Sequence, residues 1–281
     1  TRDFLPDEIR RRTYVIDKVR AVYERYGFEP LETPAFENIE TLLGKYGEEG
    51  NRLIFKILKR GEQESSGAAD LALRYDLTVP LARVVAEYQS KLPAFFKRYQ
   101  IQPVWRADRP QKGRFREFYQ CDIDSVGSTS PVVEAEILEA VCDVLDELTF
   151  SDFTIHLNHR RLLTALLQMH HVAEQSHGDA LIAIDKLDKI GEAGVVKELI
   201  EKVGIDGATA GRLMASFAAQ GSGAADTLNL VSQGNESGAA ALKELWAIKE
   251  MVSADKRTKI KIDPSLARGL SYYTGAIMEI R

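Results

Sequence analysis

Hydrophobic residues recur at α-helical spacing over residues 7–27, where Val15, Val19 and Val22 share one face. Gly27 follows the last apolar position, and glycine commonly ends helices because it adopts the left-handed conformation without strain. The pattern predicts an amphipathic helix near the start of the chain, with these three valines facing the core.

The middle of the chain alternates large apolar residues with polar ones, which is the period of a strand. Two such segments, "FKRYQIQPVWRADR" and "REFYQCDIDSVG", flank the basic stretch "PQKGR". Residues 96–127 are therefore predicted to form two antiparallel strands joined by a basic loop. Upstream, "LALRYDLTVPLARVVAEY" reads as a short strand followed by a helix with Pro80 in its first turn.

The second half of the chain changes from strand patterns to helical ones and back again. Ser130 and Pro131 are expected to start a helix, and "FTIHLNHR" reads as a strand leading into a helix with Asn158 as its N-cap. Residues from 161 onward have helical periodicity with glycine-containing breaks, whereas "TKIKIDPSLARGLSYYTGAIMEIR" returns to strand, loop and strand.

These changes predict an α+β fold in which a helical module interrupts a unit of strands and helices. We expect three regions along the sequence: residues 1–160, a helical insertion at 161–257, and a return to the first region at 258–281.

The charge balance excludes a general nucleic-acid binder. The 37 Lys and Arg residues against 42 Asp and Glu give a formal charge of −5, whereas a protein that binds polyanions over its whole surface is usually basic. Cys121 and Cys142 are too few for a disulfide framework, and no long apolar run or signal sequence is present. We therefore expect a cytoplasmic protein that does not cross a membrane.

Against this acidic background, the arginines of "WRADRPQKGRFREFYQCD" stand out. If the segment is extended, Arg114, Arg116, Phe118 and Gln120 share one face, and two guanidinium groups beside an aromatic ring suit a phosphate next to a base. A solvated hairpin with ordinary surface charges is the alternative. The sequence has no glycine-rich phosphate loop, so side chains would have to hold a phosphate substrate.

Two shorter motifs carry further candidates. In "RYDLT", Asp76 and Thr78 lie on one side of an extended segment and could hold an ammonium group, although Asp76 could instead cap the next helix. In "DPSLARGLSYYTG", Arg268 is the single cation among small and aromatic residues, which suits a specific anionic partner. A core tyrosine with a surface arginine is the alternative there. The histidines lack helical zinc spacing, so no protein-bound metal is expected.

Together, "TRDFLPDE", "PLETPAFE", "VWRADRPQKGRFREFYQCDID" and "LARGLSYYTG" resemble the catalytic domain of class II aminoacyl-tRNA synthetases, and among these the histidyl-tRNA synthetase family. The resemblance spans essentially the whole chain. It implies a mostly antiparallel sheet flanked by helices, and a homodimer formed through the region of "PLETPAFE". It also implies activation of L-histidine by ATP with Mg²⁺, followed by transfer to tRNA(His). The alternative is a synthetase-like, histidine-binding regulatory subunit of ATP phosphoribosyltransferase.

The resemblance also implies roles for individual residues. Arg106 would bind the α-phosphate and the histidine, Arg114 the terminal phosphates, and Phe118 the adenine ring. Arg268 would lie across the α-phosphate and the histidine carboxylate, so Arg106 and Arg268 would be the catalytic pair. The remaining histidine-binding positions would be Asp76, Leu77, Thr78, Gln120, Asp124, Tyr272 and Tyr273.

Two expectations concern the tRNA and the end of the chain. The loop Pro110–Gly113 is placed to meet the acceptor end of tRNA. The family's third motif and its anticodon-binding domain would follow Arg281. We therefore expect a catalytic-domain portion that does not complete aminoacylation alone.

Overall fold

The computed structural model describes residues 1–44, 51–61, 66–109, 112–219, 221–267 and 273–281. The chain divides into two units by its internal contacts. The first consists of Thr1–Thr129 and Ala140–Thr149, and the second of Ser130–Glu139 and Phe150–Arg281.

The first unit carries two three-stranded sheets together with several helices among its described residues. In chain order the elements are α1 (Pro6–Arg25), β1 (Glu29–Pro30), β2 (Phe36–Asn38), α2 (Ile39–Leu42), β3 (Lys56–Leu58), β4 (Ala69–Leu73), α3 (Thr78–Tyr88), β5 (Phe96–Trp105) and β6 (Glu117–Val126). One sheet has the order β1-β5-β6 and the other β2-β4-β3. Of these pairings, β1 with β5 is parallel and the others are antiparallel.

Helix α1 begins where its sequence predicts. Pro6 occupies the first turn, and the Glu8 carboxylate accepts a hydrogen bond from the Leu5 N–H at 3.2 Å, which satisfies a donor that the helix leaves open. Val19 and Val22 are buried as predicted, but Val15 is 40% exposed. The prediction for Val15 is wrong, because the packed stripe of α1 covers only its C-terminal half.

The hairpin of β5 and β6 confirms the two strands predicted at 96–127. The two strands pair without interruption from Phe96 opposite Val126 to Trp105 opposite Glu117. Gly127 follows β6 with φ of +103°, and a Cβ at this position would lie 1.9 Å from the Ala94 carbonyl oxygen. Only glycine therefore fits where the chain leaves the hairpin.

The helix that follows, α4 (Val132–Glu147), has residues in both units. The second unit continues with β7 (Ile155–His159), α5 (Arg160–Met169), α6 (His177–Ile184), α7 (Leu187–Glu201), α8 (Gly207–Phe217), α9 (Ser222–Gly234), α10 (Glu236–Met251), α11 (Ala254–Arg257), β8 (Ile260–Ile262) and β9 (Ala276–Ile280). Its sheet has the order β8-β7-β9, with β7 parallel to β8 and antiparallel to β9.

The helical segment thus lies between two strands that are direct neighbours in one sheet. This arrangement and the mostly antiparallel strand pairing confirm the predicted α+β class. The three sequence regions proposed for the domains stay a prediction. Among the residues described, no helix is long and apolar enough to span a bilayer.

The predicted N-cap of α5 is wrong by one residue. His159 is the cap, and its Nδ1 accepts a hydrogen bond from the Arg161 N–H at 3.0 Å. Asn158 is fully buried in β7, where its amide donates to the carbonyls of Pro264 and Leu266 at 3.2 and 2.9 Å. Those long-range acceptors are invisible in the local sequence, which is why Asn158 resembled a cap.

Candidate active site

One face of the β5–β6 hairpin is polar although it is largely screened from solvent. Cross-strand pairs on this face join Arg98 to Asp124, Gln100 to Asp122 and Gln102 to Gln120. Side chains two residues apart point to the same side of a strand, so the six residues form one layer. Charged and amide groups are rarely collected in this way unless they bind each other or a ligand.

Arg98 lies at the centre of this layer and is fully buried. Its Nη2 donates to the Leu77 carbonyl at 3.1 Å and lies 2.8 Å from the Asp124 carboxylate. The contact with Asp124 is an ion pair without hydrogen-bond alignment, since Asp124 Oδ2 has no hydrogen-bond partner within the described chain. Arg98 therefore joins β6 to the segment that precedes α3.

That segment contains the predicted Asp76–Thr78 motif. Asp76 is 8% exposed, and its Oδ1 accepts a hydrogen bond from the Val79 N–H at 3.1 Å. Asp76 therefore does cap the first turn of α3, as the alternative reading of the sequence expected. The Leu77 side chain is fully buried, whereas Thr78 is exposed.

The folded environment disfavours the ionised form of the carboxylates on β6. Burial raises the pKa of Asp122 from 3.8 to about 6, with Arg98 opposing the shift and Asp124 and Asp76 adding to it. Burial likewise raises the pKa of Asp124, again opposed by Arg98. A single buried guanidinium thus faces several carboxylates, and an additional cation or hydrogen-bond donor would relieve them.

The other end of the hairpin brings together two residues predicted to bind ATP. Arg106 Nε donates to the Tyr75 carbonyl at 3.2 Å, and its guanidinium carbon lies 4.3 Å from the centre of the Tyr75 ring. The same carbon is 5.2 Å from the centre of the Phe118 ring. A cation therefore lies against the face of Phe118, but it is Arg106 rather than the Arg114 and Arg116 that the sequence predicted beside this ring.

Arg114 and Arg116 differ from the predicted arrangement. Strand β6 begins at Glu117, so strand alternation covers Phe118 and Gln120 but not the two arginines. Arg114 is exposed and pairs with the Asp108 carboxylate at 3.3 Å, while Arg116 Nε donates to the Asp108 carbonyl at 3.1 Å. Asp108 thus contacts both arginines at the base of the basic loop. Arg114 is exposed and so remains accessible to a phosphate.

Three predicted positions belong to the 268–275 motif. Arg268 and Tyr272 lie outside the described residues. The same holds for part of the loop expected to meet tRNA, since Pro110–Gly113 is described only at Lys112 and Gly113. Tyr273 belongs to the second unit and is partly buried. The described residues contain no group of three acidic, histidine or cysteine side chains that could hold a metal ion.

Sequence reasoning missed Arg98, Asp122 and Arg74. Arg74 is 1% exposed and holds the proline-containing segment by donating to the carbonyls of Thr33 and Pro34 at 2.6 and 3.1 Å. The available signal was the alternation of Arg98 with the glutamines of β5. A charged face on a strand resembles a solvent-facing side until its partner strand is known.

Comparisons with known proteins identify relatives that match nearly the whole chain. A histidine–tRNA ligase of Christiangramia forsetii is 44% identical over the whole chain, which spans 65% of that relative. The crystal structure of histidyl-tRNA synthetase from Nostoc sp. PCC 7120 is 34% identical, with a TM-score of 0.82 over 99% of this chain and 63% of the other.

A third protein shares the fold. A Bacillus halodurans structure described as an ATP phosphoribosyltransferase regulatory subunit/histidyl-tRNA synthetase has a TM-score of 0.82 at 23% identity. It covers all of this chain and 70% of its own. Measured against the curated histidine–tRNA ligase of Christiangramia forsetii, this chain spans 65% of the length, which is somewhat less than two thirds. Because the family model for histidyl-tRNA synthetase matches residues 1–280, the chain belongs to the histidyl-tRNA synthetase family.

Proposed function

We propose that the chain is the catalytic portion of a histidine–tRNA ligase, which uses ATP to form histidyl-adenylate with release of pyrophosphate and then passes the histidyl group to tRNA(His). The observation that carries this proposal is the polar face of the β5–β6 hairpin. It has buried and partly buried carboxylates around Arg98 and a cation beside an aromatic ring at Arg106, in a chain of this family.

The carboxylate end of the face suits a cationic, hydrogen-bonding amino acid. Asp76 and Thr78 would hold the α-ammonium group, with the Leu77 backbone between them. Gln120 would lie near that ammonium group, Asp124 and Tyr273 would face the imidazole end, and Tyr272 would lie adjacent to Tyr273. An ammonium group or imidazole N–H would stabilise the ionised carboxylates, whose pKa values are raised mainly by burial and further by neighbouring carboxylates.

The arginine end suits the phosphates. A histidine carboxylate oxygen attacks the α-phosphorus of Mg²⁺–ATP, the bond to the bridging oxygen breaks, and pyrophosphate leaves with that bond's electrons. Arg106 and Arg268 would hold the two anions in line, each contributing about 3 kcal/mol to the transition state by comparison with one oxyanion-hole donor. Phe118 would stack on the adenine, and Arg114 would bind the terminal phosphates.

Membership in this family also implies partners for the chain. We propose that the Pro110–Gly113 loop contacts the acceptor end of tRNA(His). We also propose a homodimer through the region around Pro34 and a cytoplasmic location.

The test is histidine-dependent exchange of pyrophosphate into ATP by the purified chain. We expect exchange with L-histidine and none with L-glutamine or L-phenylalanine. We expect Arg268→Ala to lower the exchange rate about 100-fold or more, with histidine affinity changed much less.

Calorimetric titration with L-histidine distinguishes the alternative function. Histidine binding with no gain in affinity for a non-hydrolysable histidyl-adenylate analogue would contradict the ligase and support a regulatory subunit, whereas strong preference for the analogue supports the ligase. Wild-type exchange by Arg268→Ala would remove that residue from the mechanism while leaving the ligase assignment in place.

A further inference from the structure

Arg98 touches both ends of the proposed amino-acid site. Its Nη2 group contacts the Leu77 carbonyl, which lies between Asp76 and Thr78, and the carboxylate of Asp124. Arg98 and Asp124 are also direct cross-strand partners in the hairpin. The segment proposed to bind the ammonium group and the carboxylate proposed to bind the imidazole therefore both contact one planar, fully buried side chain.

We propose that Arg98 is a positioning residue that fixes the spacing between the ammonium-binding and imidazole-binding ends of the site, and so contributes to selection of histidine. This inference rests on the proposed function. Arg98 is not proposed to touch the reacting atoms. It acts through the Leu77 backbone and the Asp124 carboxylate.

Unsatisfied polar atoms support a layer built around a polar occupant. Arg98 Nε and Nη1, Gln120 Oε1 and Asp124 Oδ2 are buried and have no hydrogen-bond partner within the described chain. Buried polar groups are normally satisfied, and the exceptions tend to mark water or ligand positions. A ligand with several donors and acceptors, such as an imidazole and an ammonium group, fits this layer better than an apolar side chain does.

The charges around Arg98 support the same role. It faces Asp124 and Asp122 from β6 and Asp76 from the segment before α3, and Arg106 also acts on Asp122. Arg98 opposes the rise in the pKa of both β6 carboxyls. Without its charge, these groups would take up protons at a higher pH, so the acid limb of histidine binding would move upward.

A lysine cannot replace this arginine fully. Both contacts come from the single Nη2 atom, whose position is set by the planar guanidinium, whereas an ammonium group is a point charge at the end of a flexible stem. Arg98→Lys keeps the charge but holds the Leu77 carbonyl and Asp124 less rigidly. Arg98→Met removes both the charge and the contacts that fix the spacing. The two variants therefore separate the spacing from the charge.

The test measures KM for L-histidine and for ATP in pyrophosphate exchange, each over a range of pH. For Arg98→Met we expect KM for histidine to rise about 30-fold or more, as for loss of one partner of a buried charge pair, with KM for ATP changed less than about 3-fold. For this variant, we expect the acid limb of the pH dependence of histidine binding to shift to higher pH. Arg98→Lys should raise KM for histidine while keeping the wild-type limb.

Arg83→Met is the matched control. Arg83 also pairs with a buried carboxylate in the same unit, because its Nε and Nη2 each lie 2.7 Å from Glu37, which is 5% exposed. Its loss should reduce thermal stability without separating the two KM values. Equal changes in both KM values for Arg98→Met, or the same pattern in Arg83→Met, would overturn the proposal.

The remaining outcomes are also decisive. If Arg98→Met does not fold, a wild-type KM for histidine in Arg98→Lys overturns the proposal and a raised one supports it. If the wild type binds histidine without exchange, calorimetric affinities of the same variants for L-histidine decide the role of Arg98, and the histidyl-adenylate analogue decides the ligase separately. If the wild type binds no histidine, both proposals fall.

Discussion

At the residue scale, Asp122 is a carboxyl group that the fold keeps partly protonated near neutral pH. Its pKa is raised to about 6, mainly because burial removes water from the ionised form. The unfolded chain releases this proton at a lower pH. Asp122 therefore destabilises the folded protein progressively as the pH rises from about 4 to about 6, and most above that range.

We expect Asp122→Asn to stabilise the protein at pH 8 but not at pH 4. The amide has no charge to desolvate, and a two-unit pKa shift corresponds to about 2–3 kcal/mol in the free energy of unfolding. Urea denaturation at both pH values measures the difference. Asp152→Asn, at an exposed position, serves as the control and should show no such pH dependence. A pH-independent effect of Asp122→Asn would contradict the assignment.

At the scale of elements, the junction of β7 and α5 depends on His159. This histidine is 1% exposed, caps α5 through Nδ1, and lies 3.4 Å from Glu244 of α10 through Nε2. Burial lowers its pKa, so the neutral ring is favoured in the folded state. The capping acceptor is present at neutral pH and is lost as the pH falls below the ordinary range of histidine.

We expect His159→Ala to reduce the free energy of unfolding by about 1–2 kcal/mol, because the first turn of α5 loses its side-chain acceptor. His159→Asn should recover part of this loss, since asparagine is a favourable N-cap. It should also lack the loss of stability that the wild type shows between pH 7 and pH 5. Chemical denaturation of the three proteins measures both effects. Equal destabilisation by alanine and asparagine would show that capping is not the cause.

The sequence predicted elements better than it predicted contacts. Period-two alternation located β5 and β6, and helical spacing located α1, because each pattern reflects burial of one face. Arg98 was missed because a buried ion pair requires a partner from another segment. Asp76 shows the same limit, since its sequence suited both a cap and a ligand and the structure uses one oxygen for the cap.

At the scale of the whole molecule, the net charge of −5 bears on how the chain would bind tRNA. The exposed cations Arg109, Lys112 and Arg114 stand beside the basic loop, whereas the rest of the surface is acidic on balance. Phosphate contacts should therefore be few and local, and binding should depend only moderately on salt.

We expect the logarithm of the tRNA(His) association constant to fall with the logarithm of salt concentration with a slope of about −2 to −4, as for a few phosphate contacts. Lys112→Ala should reduce the magnitude of the slope by about one. Lys91→Ala, an exposed lysine in the same unit, should leave it unchanged. Filter binding at several KCl concentrations measures the slopes. An equal effect of the two variants would argue against contacts at the loop.

The placement of the helical segment between β7 and β8 has a consequence during protein synthesis. Ile155 must wait for Ile260 before the two strands can pair, and β9 is made later still. At ribosomal speeds, the roughly 100 intervening residues take about 5–20 s to make. During that time β7, most of which is buried in the finished protein, has both edges open. Nascent chains that end between β7 and β8 therefore carry a strand whose two neighbours in the sheet have not yet been made.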